Sequence, residues 1–128
     1  MDKIDTLIAY LYAIQAFAKD IHYLAKGEAF YSKHLLADEI YKGIDEQIDA
    51  LIETCILPYG MPMQITEYWK QARVISPSVI TFEEMQILLK DTIQYLSKEQ
   101  GNFAGQALLD SIAQDLQRKL GLITRQVG

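Results

Sequence analysis

The residues best suited to chemistry are the chain's only two histidines, His22 and His34, and three carboxylates downstream, Asp38, Asp49 and Glu53. Imidazole nitrogen combined with carboxylate oxygen suits iron better than calcium, which takes oxygen throughout, or structural zinc, held mostly by thiolate. Whether the five groups can meet is decided by spacing. Gly27 interrupts two helical patterns and reads as the turn between them. A hairpin folded about residue 28 sets His22 level with His34 on the neighbouring helix. On that outgoing helix His34 and Asp38 are i, i+4 neighbours and share a face. Asp45, Asp49 and Glu53 continue the same side, and with His34 and Asp38 these helix positions fall within roughly a 100° sector of an unbroken helix.

One copy cannot gather them all. His34 and Glu53 are nineteen residues apart, about 28 Å of helix, whereas a metal–ligand bond is about 2 Å long. Pairing the helix antiparallel with its own copy across a two-fold axis removes the difficulty. With His34 opposite the second copy's Glu53, Asp38 falls opposite Asp49 and Lys42 opposite Asp45. The axis then passes between Gly43 and Ile44, where glycine has no side chain to hold the helices apart. Carboxylates on a polar helix face are ordinarily just solvated; the shared register is what sets these apart.

The stretch from His22 to Glu53 resembles the Dps family, the DNA-protection-during-starvation mini-ferritins of the ferritin-like superfamily. That family's pattern has His, Gly five residues on, Phe at eight, a second His at twelve, then Asp-Glu-x-Tyr beginning four later. Here these are His22, Gly27, Phe30, His34 and Asp38-Glu39-Ile40-Tyr41. The family's next Asp and Glu, fifteen and nineteen residues after the second His, match Asp49 and Glu53. Leu57-Pro58-Tyr59-Gly60-Met61-Pro62, followed by Glu67-Tyr68, looks like its loop and short helix between the second and third main helices. The register holds over residues 15 to 70; beyond them the resemblance is to helix lengths and order.

The resemblance implies that His22, His34 and Asp38 come from one subunit and Asp49 and Glu53 from its two-fold mate. It implies a non-haem di-iron ferroxidase that oxidises Fe(II), preferentially with hydrogen peroxide, and stores ferric mineral in a hollow homo-oligomer, a dodecamer, as protection against oxidative stress. All five residues would then be both metal ligands and catalytic, with Glu53 the bridging candidate because a carboxylate can span two metals. Tyr23 stands where the family usually has Trp; it either lines the iron site or simply packs.

The elements must position this set. At 128 residues with 50% hydrophobic content, seven Gly and three Pro, the chain reads as a single all-α domain over 1–128. Ile4, Leu7, Ile8, Leu11, Ile14, Ala18 and Ile21 form the stripe of a first helix over 2 to 26. A second helix over 28 to 57 has Leu36, Ile40, Ile44, Ile48, Leu51 and Cys55 as its core stripe, and Pro58 ends it. The connection from 59 to 80 is too long for a plain loop and holds a short helix over 65 to 74. Trp69 on that helix is expected to anchor a dimer contact. Thr81-Phe82-Glu83-Glu84 is a capping box opening a third helix, with stripe Phe82, Met85, Leu89, Thr92 and Leu96, ended by Gly101. Asn102 caps a fourth, with stripe Leu109, Ile112, Leu116, Leu120 and Ile123. The predicted fold is a ferritin-like up-down four-helix bundle with a short extra helix between the second and third main helices.

Composition narrows the partners. Net charge is −5 with no basic cluster, and coating DNA requires Lys and Arg to displace counterions from phosphates. DNA binding is therefore not expected. No apolar run reaches membrane-span length and no charged-then-apolar leader opens the chain, so no membrane association and a cytoplasmic location are expected. Cys55 is the only cysteine, read as a buried, inert thiol.

Two departures from the family bear on function. Where it places aspartates lining an iron entry pore, residues 102 to 107 carry no acid, and the next is Asp110. Gly121 lies near the place of its usual late aromatic. The competing function class is a ferritin-like structural or protein-binding module that has lost ferroxidase activity.

Overall fold

The computed structural model describes residues 3–27, 29–98 and 103–127. Among them every regular element is helical and no strand forms. The helices are α1 (Lys3–Leu24), α2 (Phe30–Tyr41), α3 (Ile44–Leu51), α4 (Ile65–Ile75), α5 (Phe82–Lys98) and α6 (Phe103–Val127). α3 runs on into a π-helical turn, Ile52–Ile56. The helix starts expected at Asp2 and Glu28, the stop at Gly101 and the cap at Asn102 lie outside the described residues. No helix among the described residues is long and apolar enough to cross a membrane.

α1 is the hub. It packs against α2, α3, α4 and α5, and α6 closes the ring by packing on α5, α2, α3 and the π turn. Its expected stripe from Leu7 to Ile21 is buried, with Ile4 at the rim of the core. Ala9, Ala13 and Phe17 are buried as well, so neighbours cover α1 well beyond a single stripe.

The short helix α4 is held by Tyr68, which is fully buried. Its hydroxyl donates to Asp5 Oδ1 at 2.6 Å and accepts from the Met63 amide at 3.3 Å. Burial and the bond to Asp5 push the phenol up to about 12. Trp69, expected as an anchor, is 54% exposed within one copy and meets Tyr12 edge-on at 6.4 Å between ring centroids.

The threonine half of the capping box at the start of α5 forms, with the Glu84 amide donating to Thr81 Oγ1 at 3.1 Å. All five residues of its expected stripe are buried. On α6, Leu109, Ile112, Leu116 and Ile123 are buried while Leu120 is half-buried. Cys55 is half-buried rather than fully enclosed, and burial pushes its thiol up. A Cβ on Gly105 would lie 2.9 Å from Cys55 Sγ, so α6 approaches the π turn closely there.

The second helix departs most from expectation. It is not one rod over 28 to 57, and Gly43 does not lie inside a helix. Lys42 is extended (φ −63°, ψ 133°) and Gly43 is left-handed (φ 83°, ψ −9°), which separates α2 from α3. Glycine takes that conformation without the Cβ penalty other residues meet. The break is secured from across the bundle. Lys119 of α6, fully buried, donates from Nζ to the Lys42 carbonyl at 2.7 Å and pairs with Asp115 Oδ2 at 2.8 Å. Gln47, one turn into α3, donates from Nε2 to the same Asp115 oxygen at 2.7 Å. Arg118 bridges Asp115 to Glu39 of α2, at 3.3 and 3.0 Å.

Burial alone would raise the Asp115 carboxyl, but hydrogen bonds from Lys119 and Gln47 outweigh it, and the group lies below its ordinary value. Burial lowers the Lys119 ammonium, and its pairing with Asp115 only partly offsets this. Two outcomes follow. Because the folded carboxyl is depressed, the stability it contributes is present above pH 3.8 and lost as pH falls from there through the folded value. Urea titrations across that window should show Asp115→Asn losing less stability than the wild type. Gly43→Ala meets no neighbour within 4 Å, so its cost is backbone strain alone. It should lower unfolding free energy by about 1–2 kcal/mol, measured by the same method.

Candidate metal centre

His22 lies in the last turn of α1 and His34 one turn into α2, and the hairpin between them brings the rings together. Their centroids are 3.7 Å apart with planes inclined by 32°, so one imidazole lies over the other. The hairpin turns through Gly27, at φ 79°, and Ala29, at φ 60°. His34 Nδ1 is 3.2 Å from the His22 carbonyl oxygen. A carbonyl can only accept, so Nδ1 is the donor in this contact, and in the neutral ring the lone pair is then on Nε2. Tying one ring nitrogen to a backbone carbonyl is how metal-binding imidazoles are commonly oriented. Phe30 flanks His34 at 5.5 Å, and Tyr23 stands edge-on to His22 at 5.3 Å. Tyr23 is 71% exposed, so it borders the pair without being packed in the core.

Asp38 lies one turn beyond His34 and is exposed. It opens onto a surface hollow of about 300 Å³ lined also by Tyr41, Lys42, Gly43, Asp45 and Glu46. Asp49, on α3, and Glu53, in the π turn, are exposed too. Asp45 accepts a hydrogen bond from Gln15 of α1. Burial, then the charges of Asp45 and Asp49, raises the Tyr12 phenol above 10. Lys19 of α1 places its ammonium 4.1 Å from the centre of the Tyr41 ring, at the far end of α2 from the histidines.

Within one copy, then, His22 and His34 meet; Asp38 lies one turn beyond His34 without completing a three-donor group, and Asp49 and Glu53 do not join them either. No three of His, Cys, Asp or Glu gather in a metal-holding group among the described residues. The single 100° sector is also corrected. The break at Gly43 and the π turn, whose bonds span one residue more than in an α-helix, divide it into His34 with Asp38, Asp45 with Asp49, and Glu53 apart.

Lys119 was missed, although a signal for it exists. Ile112, Leu116, Lys119 and Ile123 follow the four-and-three spacing of a buried stripe, so the lysine stands at an apolar position and calls for a partner. The π turn has no comparable mark. A prediction follows for the histidine pair. The ¹⁵N shifts of neutral His34 should report a proton on Nδ1, and a dominant Nε2-protonated form would contradict the bond to the His22 carbonyl. No family model and no curated protein sequence matches the chain.

Proposed function

We propose that this chain is a ferritin-like, Dps-like bundle whose copies pair through α2 and α3 to oxidise and store iron. The observation that carries the reading is the stacked histidine pair, with His34 Nδ1 committed to the His22 carbonyl and Asp38 one turn on. Nitrogen and carboxylate donors of this kind suit Fe(II). Under the reading, a second copy supplies Asp49 and Glu53. Antiparallel pairing about Gly43 sets α2 of one copy along α3 of the other, so the break lies where the two-fold axis is expected and each half keeps its own donors.

Iron is the substrate of this reaction. Each of two Fe(II) ions gives one electron to hydrogen peroxide; the O–O bond breaks and two protons from solvent complete two waters. Taking both electrons at a paired site avoids the one-electron cleavage that releases hydroxyl radical. His22, His34 and Asp38 would hold one side of the pair, with Asp49 on the other and Glu53 bridging. Ferric product would collect inside a closed homo-oligomer of dodecamer type. The net charge of −5 supports protection through iron chemistry rather than through coating DNA.

The test adds Fe(II) anaerobically to metal-free protein, then peroxide, following ferric absorbance with native mass on the same sample. Rapid stoichiometric oxidation by a large closed oligomer is the expected result. His22→Ala combined with Asp38→Ala should abolish rapid oxidation while native mass stays unchanged. Oxidation at the wild-type rate in that double variant would remove the site assignment. A wild-type dimer that leaves iron oxidising at the buffer rate would favour a structural or protein-binding module instead.

A further inference from the structure

We propose that Lys119 is a positioning residue for the iron site. By holding the Lys42 carbonyl and Asp115, it sets the angle at which α2, with His34 and Asp38, passes into α3, with Asp49 ahead of Glu53. What is positioned rests on the iron reading above; the contact itself does not.

A fully buried ammonium is costly unless paired, and an apolar side chain at this point of the α6 stripe would pack without that cost. Lys119 uses its charge on two groups. One is Asp115, which Gln47 of α3 also contacts; the other is the carbonyl of Lys42, the first residue beyond α2. One side chain therefore ties the end of α2 and the first part of α3 to the same place on α6. Arg118 adds a second tie, from Asp115 to Glu39 beside Asp38. Lys119 touches none of the five proposed ligands, so any effect on them passes through the backbone at 42–43.

Pairing of copies multiplies that effect. Each site takes donors from α2 of one chain and from α3 and the π turn of the other. A changed angle at the break would displace the donors of both chains at both sites. Partner groups that orient metal ligands commonly change metal affinity by about 10–100-fold when removed.

The experiment compares wild type with Lys119→Met, which keeps the chain length and removes the donor. Nitroxide labels are placed at two exposed sites, Tyr31→Cys on α2 and Glu46→Cys on α3, in a Cys55→Ala background diluted with unlabelled chain. An unbroken helix would separate these positions by about 22 Å. The wild type should give one narrow distance shorter than that, and Lys119→Met a broader distribution extending towards it. Co(II), used alone as the metal probe, should bind the variant about ten-fold more weakly, with shifted visible d–d bands. A loss of packing that leaves the break in place would move neither the distance nor the bands. Asp115→Asn, a milder change, should move both in the same direction and carries the test if Lys119→Met does not fold. Unchanged distances and an unchanged Co(II) spectrum in both variants would overturn the proposal. A shifted distance with no Co(II) uptake even by wild type would instead overturn the iron reading and leave the hold of Lys119 on the break standing.

Discussion

The bond from the Lys119 ammonium to the Lys42 carbonyl is the contact on which the arrangement of the second and third helices depends. A helix that ends mid-bundle leaves carbonyls without partners, and enclosing them is unfavourable unless something donates. The left-handed glycine makes the break possible, and the buried cation makes it specific. Asp115 then keeps the cation from being an isolated charge, while Gln47 and Arg118 pass that anchoring to both sides of the break. Four polar side chains thus fix one change of direction, reaching from the buried Lys119 out to the half-exposed Arg118.

Around this point the bundle divides its labour. α1 supplies the apolar centre and, at its end, His22. α2 carries His34 and Asp38, α3 carries Asp49, and the π turn carries Glu53. α4 is attached to the first turn of α1 by the buried Tyr68–Asp5 bond, leaving Trp69 on the outside. Ring stacking and one bond to the backbone place the histidines, and side-chain bonds from α6 place the segments that follow them.

The parts legible in the sequence were those governed by local rules. The level placement of His22 and His34 follows from a glycine turn and a count of residues on either side. The stripes of α1 and α5 follow from helical periodicity, and the start of α5 from a capping box. The break at Gly43 was not legible, because an isolated glycine in a helical pattern is compatible with an intact helix. Its left-handed backbone is chosen by a lysine on another helix, which no local window contains. The π turn escaped for a related reason: apolar residues from Ile48 to Ile56 keep a helical rhythm whether or not one residue is inserted. The hairpin and the meeting of His22 with His34 were therefore readable, but not the division of the chain beyond them into two segments.

The separation of these contacts along the chain has a consequence for how the protein forms. The histidine pair closes across twelve residues, whereas the bond from Lys119 to Lys42 closes across seventy-seven. Loop closure of the first kind costs less entropy and precedes contacts of the second kind in chains that fold from local structure outward. During synthesis, the imidazoles can stack before α6 has left the ribosome, while the bend between α2 and α3 waits for α6. A chain lacking α6 would thus keep the stacked histidines without the contact that secures the break between α2 and α3.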